Sequence, residues 1–341
     1  MPPNGEDEST WRALEAGAAL RRVSSPAILD RLAELARSEN ALVRRLAYGG
    51  LGANPNTEGA RTILENLAKD AKGEDGDEIT AARVRLGGDA AKAVLLDAVG
   101  RGDGSAIDTA LFAAAERKLP NLGPETLTAL GDREIGKRAW RGALEYLVSV
   151  PEAVQPETVQ ALLALALGGS LRGDDAAELT ERVSRIDVAR RHVQDSLDAL
   201  SRSSDNRVAA AALVALSRMG DRNAQKRLMD PLDDAVDEAA SGQPGPLRAR
   251  GNMKTRLGDY NGAINDLKKA LKEAKDAGAF EQREINIDMA RAYSLYERYD
   301  KAASALDEAD LTNKQREELA RRPEFKALAE HPRYGEALEN R

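Results

Sequence analysis

The chain has no cysteine in 341 residues. That single absence removes a disulfide framework, a thiolate nucleophile and a thiolate metal site together. Histidine is nearly missing too: only His192 and His331 occur, and neither belongs to an HExxH helix of the kind that holds catalytic zinc. Aromatic residues make up 4%. With Ala, Leu, Glu and Arg so frequent, this predicts helices packed through small side chains rather than a sheet-rich core. Nowhere is there an apolar run of about 18 residues, so no membrane span is expected and the chain reads as soluble. The opening "MPPNGEDESTW" lacks the basic and apolar regions of a signal peptide. Cytoplasmic residence is therefore expected, unless a signal segment once preceded Met1. An excess of positive charge is also lacking. A net charge of −7 argues against general affinity for nucleic acid, which rests on phosphate neutralisation by Lys and Arg; a local basic patch stays open.

What is present is periodicity. Apolar residues recur every three or four positions in blocks of about 10 to 20, broken by short Gly, Asp, Asn or Pro turns. That is the pattern of antiparallel helix hairpins, and the length calls for two domains or one elongated array. Residues 1–8 are expected to be a disordered start. Residues 9–37 predict two helices parted by Ser25, a cap, and Pro26, a first helical residue. A hairpin follows over about 39–70, and others can be drawn through 77–100, 103–130, 132–167, 174–203 and 205–240. The last is the clearest, with Val208, Leu213 and Leu216 on its first helix, a turn at Gly220 and Asp221, and Leu228 and Leu232 facing back.

These residues resemble the HEAT family of repeats over about 20–240. Its turn, Val-Arg, then Ala pattern is matched by Val43, Arg44 and Ala47; at Arg207 and Val208 the order is reversed, and hairpins between 77 and 203 match loosely. The "SGQPGPL" of 241–247 then interrupts any helix and separates residues 9–240 from 248–310. Seven residues leave little slack, which predicts a tight corner.

Beyond it, Tyr260, Ala263 and Ala270 recur thirty-nine residues later as Tyr299, Ala302 and Ala309. With Gly251 and Gly258 in the first copy and Ala290 and Tyr293 in the second, the stretch 244–310 is similar to a pair of tetratricopeptide repeats. The family period is 34, so five extra residues are expected around "DAGAFEQ"; Leu247 and Lys275 stand where the family has Trp and Pro. The end, 311–341, with Pro323, Phe325, Leu328, Tyr334 and Leu338, resembles the helical segment that closes such arrays in bacterial proteins and would cover an outward apolar face.

Several chemical motifs are better read as structure. "GDREIGKR" at 131–138 has phosphate-loop spacing, but Arg138 stands where Ser or Thr must hold magnesium and no strand precedes it, so a turn and helix start is expected. "GGLGAN" at 49–54 lacks a preceding strand as well. The acidic "KGEDGDE" at 72–78 lacks alternating calcium ligands and is expected to be a solvated turn. Asp205 in "SDN" is expected to cap a helix. The adhesion-like tripeptide at Arg101 is a chance match. Trp140, with Lys137, Arg138 and Arg141 on one helix, is the only likeness to a base-flipping site.

The expectation is accordingly an all-α solenoid, HEAT-like and then tetratricopeptide-like, serving as a non-enzymatic scaffold or adaptor for a protein or peptide, with no cofactor, no metal, no nucleic acid and no membrane. The alternatives are an enzyme on a HEAT scaffold, like DNA-base glycosylases or bilin lyases, or the accessory part of a larger protein. The tetratricopeptide resemblance implies a groove lined by the first helix of each pair, with a carboxylate clamp at Arg248 and Asn252. Thr255 and Arg256 lie a turn further, and the second copy presents Ile287, Arg291 and Ser294. Such a clamp would take an acidic peptide or a chain terminus. The Asn expected in the second copy is Asp288, which would oppose a carboxylate.

Overall fold

Asn40, Asn56, Asp103 and Asp132 each turn a side-chain oxygen onto the backbone N–H groups that open a helix. Such caps, with glycine turns between them, cut the chain into short helices. In a computed structural model, residues 26–276 and 278–338 are described, and the protein is all-α: helices and 3-10 turns, with no strand among the described residues. The expected disordered start, the helix before Pro26 and the Ser25 cap lie outside those residues. Two compact units divide between Ala215 and Leu216.

The first unit carries α1 (Pro26–Leu35), α2 (Ala41–Gly52), α3 (Thr57–Ala68), α4 (Glu74–Arg85), α5 (Gly88–Gly100), α6 (Gly104–Glu116), α7 (Gly123–Gly131), α8 (Arg133–Ser149), α9 (Pro156–Leu167), α10 (Gly173–Arg182) and α11 (Gln194–Leu200); α12 (Asn206–Arg218) crosses the division. Helices pack on their chain neighbours and also two along: α2 on α4, α4 on α6, α6 on α8. The last pair comes closest at Gly142, whose N–H donates to Asp108 Oδ1 at 2.6 Å. Between α10 and α11 the pattern breaks into two 3-10 turns, Val183–Arg185 and Arg190–His192.

Polar links span helices about one hairpin apart. Arg44 reaches Asp75 (2.9 Å), Arg85 reaches Glu116 (3.2 Å), Arg141 reaches Asp175 (2.6 Å), and Arg182 reaches Glu145 (2.7 Å). All keep some contact with water, and each contributes about 0–1 kcal/mol. The "KGEDGDE" stretch differs from expectation. Instead of a solvated turn it is the first turn of α4, where Glu74 pairs with Arg45 and Asp75 with Arg44. Carboxylates are favoured there because unpaired N–H groups make that end of a helix positive.

One buried tyrosine ties α8 to the turn before α7. Tyr146 donates its hydroxyl to the Leu119 carbonyl (2.8 Å) and accepts from the Leu122 N–H (3.1 Å). Burial pushes its ionisation up to about 12, with the Leu122 N–H pulling the other way. Tyr146→Phe should cost about 1–3 kcal/mol in urea denaturation, because the buried Leu122 N–H and the half-buried Leu119 carbonyl lose their partner. A loss below a few tenths would show that this link is immaterial.

The second unit holds α13 (Arg222–Glu238), α14 (Pro244–Leu257), α15 (Tyr260–Glu273), α16 (Ala279–Leu295), α17 (Tyr299–Glu308), α18 (Asn313–Ala320) and α19 (Lys326–Ala329). The stretch 241–247 lies inside it: Gly242 turns with φ +82 and donates its N–H to Glu273 (2.7 Å), and Pro244 opens α14, which packs on α13. Gly251 lets α14 meet α15 closely, since a Cβ there would lie 2.8 Å from Leu267 Cγ. Ala263, Ala270, Ala290, Ala302 and Ala309 are all buried at such contacts. Gly258 ends α14 in the left-handed region (φ +85), and the residue thirty-nine later, Glu297, adopts the same region (φ +60) without glycine's freedom. Phe325, Leu328 and Leu338 join the same apolar core. Between the two hairpins stand a 3-10 turn, Ala274–Asp276, and then α16, with 17 residues against 14 in α14.

Candidate functional site

Helix α14 presents two polar stripes, each made by residues four apart and therefore on one face. Arg250 and Lys254 form the first. Arg250 grips Asp266 of α15 with two N–H groups (Nε–Oδ2 2.8 Å, Nη2–Oδ1 2.9 Å) and reaches Asp233 of α13 at 2.9 Å, while Lys254 Nζ lies 2.7 Å from Asp266 Oδ2. The Asp266 side chain is 2% exposed. Burial pushes its carboxyl up, but the bonds from Arg250 and Lys254 outweigh it and hold the group below its ordinary value. Its place between three helices makes it a structural anchor.

Arg248 and Asn252 form the second stripe, facing α16. Arg248 Nε lies 2.6 Å from Asp288 Oδ2, and Asn252 Nδ2 donates to the same oxygen at 2.8 Å. Arg248 also approaches Glu284 (3.2 Å) and Glu281 (3.7 Å). From α16 itself, Arg291 approaches Asp288 Oδ1 (3.5 Å) and Glu324 (3.4 Å). Of these acids, Glu281 lies in the part of α16 that extends beyond the counterpart of α14. Burial draws the Arg248 guanidinium down, yet its bonds to Asp288 and Glu284 raise it above its usual value.

The structure thus brings together three of the five residues the sequence singles out, Arg248, Asn252 and Arg291, and seats the chain's own carboxylate between them. Thr255 and Arg256 are not part of the cluster. Thr255 is 3% exposed and donates its hydroxyl to the Gly251 carbonyl (3.0 Å), the usual fate of a buried helical threonine. The Arg256 carbonyl accepts from Arg218 Nε at 2.6 Å. Ser294 is engaged as well, on the Glu324 carbonyl (2.8 Å), and Ile287 packs against the core. Sequence reasoning missed Arg250, Lys254 and Asp266, although the four-residue spacing of the two cations was legible. Asp288, expected to oppose a carboxylate at this place, is itself the group that Arg248 and Asn252 hold.

The remaining motifs resolve into structure. Asp132 caps α8, accepting from the Glu134 and Ile135 N–H groups at 2.8 and 3.1 Å. Asp205 accepts from the Arg207 N–H (3.0 Å) at the start of α12. Trp140 is 2% exposed, so no base could stack on it, and Arg141 lies 4.6 Å from its ring centroid. His331 sits between the rings of Tyr299 and Tyr334. Among the described residues no group of His, Asp and Glu is arranged to hold a metal ion, and no helix is long and apolar enough to cross a membrane.

No family model, no curated protein and no solved structure matches this chain. Fold and site define an all-α protein with two polar stripes on one helix, each holding carboxylates of the chain itself.

Proposed function

We propose that the protein is a non-enzymatic, cytoplasmic scaffold or adaptor, a HEAT-like and then tetratricopeptide-like solenoid that binds a protein or peptide along the α14 and α16 stripe. The observation that carries this reading is the convergence of Arg248, Asn252 and Arg291, from two helices, on one carboxylate. Side chains held by such contacts lose little freedom when a partner arrives, which favours recognition. Counting the neighbours, two guanidiniums face four carboxylates: Asp288, Glu284, Glu281 and Glu324. Asn252 Oδ1 is buried there without a donor. With Asp288 seated, the stripe therefore favours a segment bringing a cation and N–H donors; an acidic one must displace Asp288.

The test is affinity capture from cells of origin, comparing the wild-type chain with Arg248→Gln, Arg291→Gln. Glutamine avoids adding a fifth acid and keeps hydrogen-bonding capacity, and folding is checked by circular dichroism. Retention of the partner should fall at least tenfold, the equivalent of about 1.4 kcal/mol. A folded variant that keeps the partner undiminished would remove the stripe from the binding surface.

A further inference from the structure

In the first unit, Arg133, Lys137 and Arg172 form a group of cations without an ion pair among the described residues, and the group adjoins an apolar cavity. The corner between α9 and α10, residues 168–173, separates two hollows. One, ≈ 330 Å³, is lined chiefly by Ala166, Leu167, Leu171, Ala176, Leu200 and Val208. The other, ≈ 690 Å³, is lined by Arg133, Lys137 and Arg172, together with Glu134, Ser170 and Asp175. Gly169, Leu171 and Arg172 border both. Arg133 and Lys137 have no carboxylate partner among the described residues, and Arg172 spends only its Nε, on the Gly169 carbonyl at 3.2 Å. The acids are fewer and partly spent. Asp175 is held by Arg141 at 2.6 Å, and Asp205, bordering the apolar hollow, is held by Arg207 at 3.0 Å, which leaves Glu134 as the one unpaired carboxylate of the polar hollow.

Elsewhere in this unit Arg44, Arg85 and Arg182 are matched to acids one hairpin away. Three unmatched cations around one hollow repel one another and attract an anion. The N-terminus of α8 does not supply that attraction, because Asp132 already accepts its free N–H groups; the side chains do. The apolar hollow is at the small end of ligand cavities, suited to one large side chain rather than a long acyl chain. Leu167 at its edge is 45% exposed, an apolar surface left for a partner to cover.

We propose that the α9–α10 corner binds an acidic peptide segment, an apolar side chain entering the smaller hollow and neighbouring carboxylates meeting Arg133, Lys137 and Arg172. This rests on the reading of the chain as a peptide-binding protein, and it moves the acidic preference from the α14 stripe, whose cations are already neutralised, to a site whose cations are not.

Three fluorescein-labelled peptides with Gly-Ser flanks test it by fluorescence polarisation on the full chain, with cores Phe-Asp-Asp, Phe-Asn-Asn and Ser-Asp-Asp. The Phe-Asp-Asp peptide should bind at least tenfold more tightly than either control and weaken as salt rises. Arg133→Gln, Lys137→Gln should reduce its binding at least tenfold, and Leu167→Ser, an exposed change that spares the core, should weaken it severalfold. Equal binding of Phe-Asp-Asp and Phe-Asn-Asn, or binding unchanged in the double variant, would overturn the site. Decanoate binding that needs Arg133 and Lys137, without peptide binding, would overturn the peptide assignment. If the peptide fails while partner capture still depends on Arg248 and Arg291, only the corner falls; if capture fails while the peptide binds as described, only the α14 stripe does.

Discussion

Asp266→Ala should destabilise the second unit by roughly 3–5 kcal/mol, the range for removing one member of a buried ion pair. The side chain is 2% exposed, and those of Arg250 and Lys254 are 15% and 21% exposed. Taking away the carboxylate leaves two cations with little water and only Asp233, itself half exposed, to answer them. The effect also has a pH signature. The folded-state value is lowered by Arg250 and Lys254, so the stabilisation is fully present above the unfolded-state value, about 3.9. It is lost as pH falls through the lower folded-state value. Acid unfolding followed by circular dichroism should show this loss in the wild type and its absence in Asp266→Asn. A variant within about 1 kcal/mol of wild type would mean that the triad is only as strong as a surface pair.

Gly142→Ala should be destabilising although it replaces glycine in mid-helix. In an exposed helix interior that exchange gains up to about 1 kcal/mol. Here the added Cβ would lie 2.9 Å from the Asp108 carbonyl carbon and 3.0 Å from its Cα. Those atoms are backbone, so α6 and α8 must part, and the hydrogen bond from Gly142 N–H to Asp108 stretches with them. A net loss of about 1–3 kcal/mol is expected, and more for Gly142→Val, from urea denaturation. Gly100→Ala is the control. It ends α5 with nothing within 4 Å of the new Cβ, and should be neutral or stabilising by a few tenths of a kcal/mol. If both substitutions stabilise, the close approach of α6 and α8 is not as described.

How much of this was legible beforehand depends on the reach of each interaction. Helix starts at Asp132 and Asp205 were readable because a cap acts within three residues. The turn at Gly258 was readable because only glycine enters the left-handed region freely, and Glu297 shows the limit of that rule: the second copy makes the turn without it. "KGEDGDE" was misread because acids serve a solvated turn and a helix start equally well, and the choice was made by Arg44 and Arg45, some thirty residues away. Arg248 and Asn252 were legible as a stripe from their four-residue spacing. That Asp288, Glu284 and Glu281 would occupy the stripe depended on how α16 packs beside α14, which no local pattern fixes.

By itself, the sequence determined that the chain is helical, where many helices begin and end, which small residues lie at helix contacts, and that thiol chemistry is excluded. Each follows from local backbone preference, from the 3.6-residue period or from composition, all of which act within one segment. Only the tertiary structure decided which charges are neutralised. Arg248 and Arg133 are indistinguishable as letters, yet one is enclosed by carboxylates from α16 and the other borders a hollow without an ion-pair partner. Coulombic attraction falls with distance, and the distances that matter here are set by helices thirty to forty residues apart in the chain.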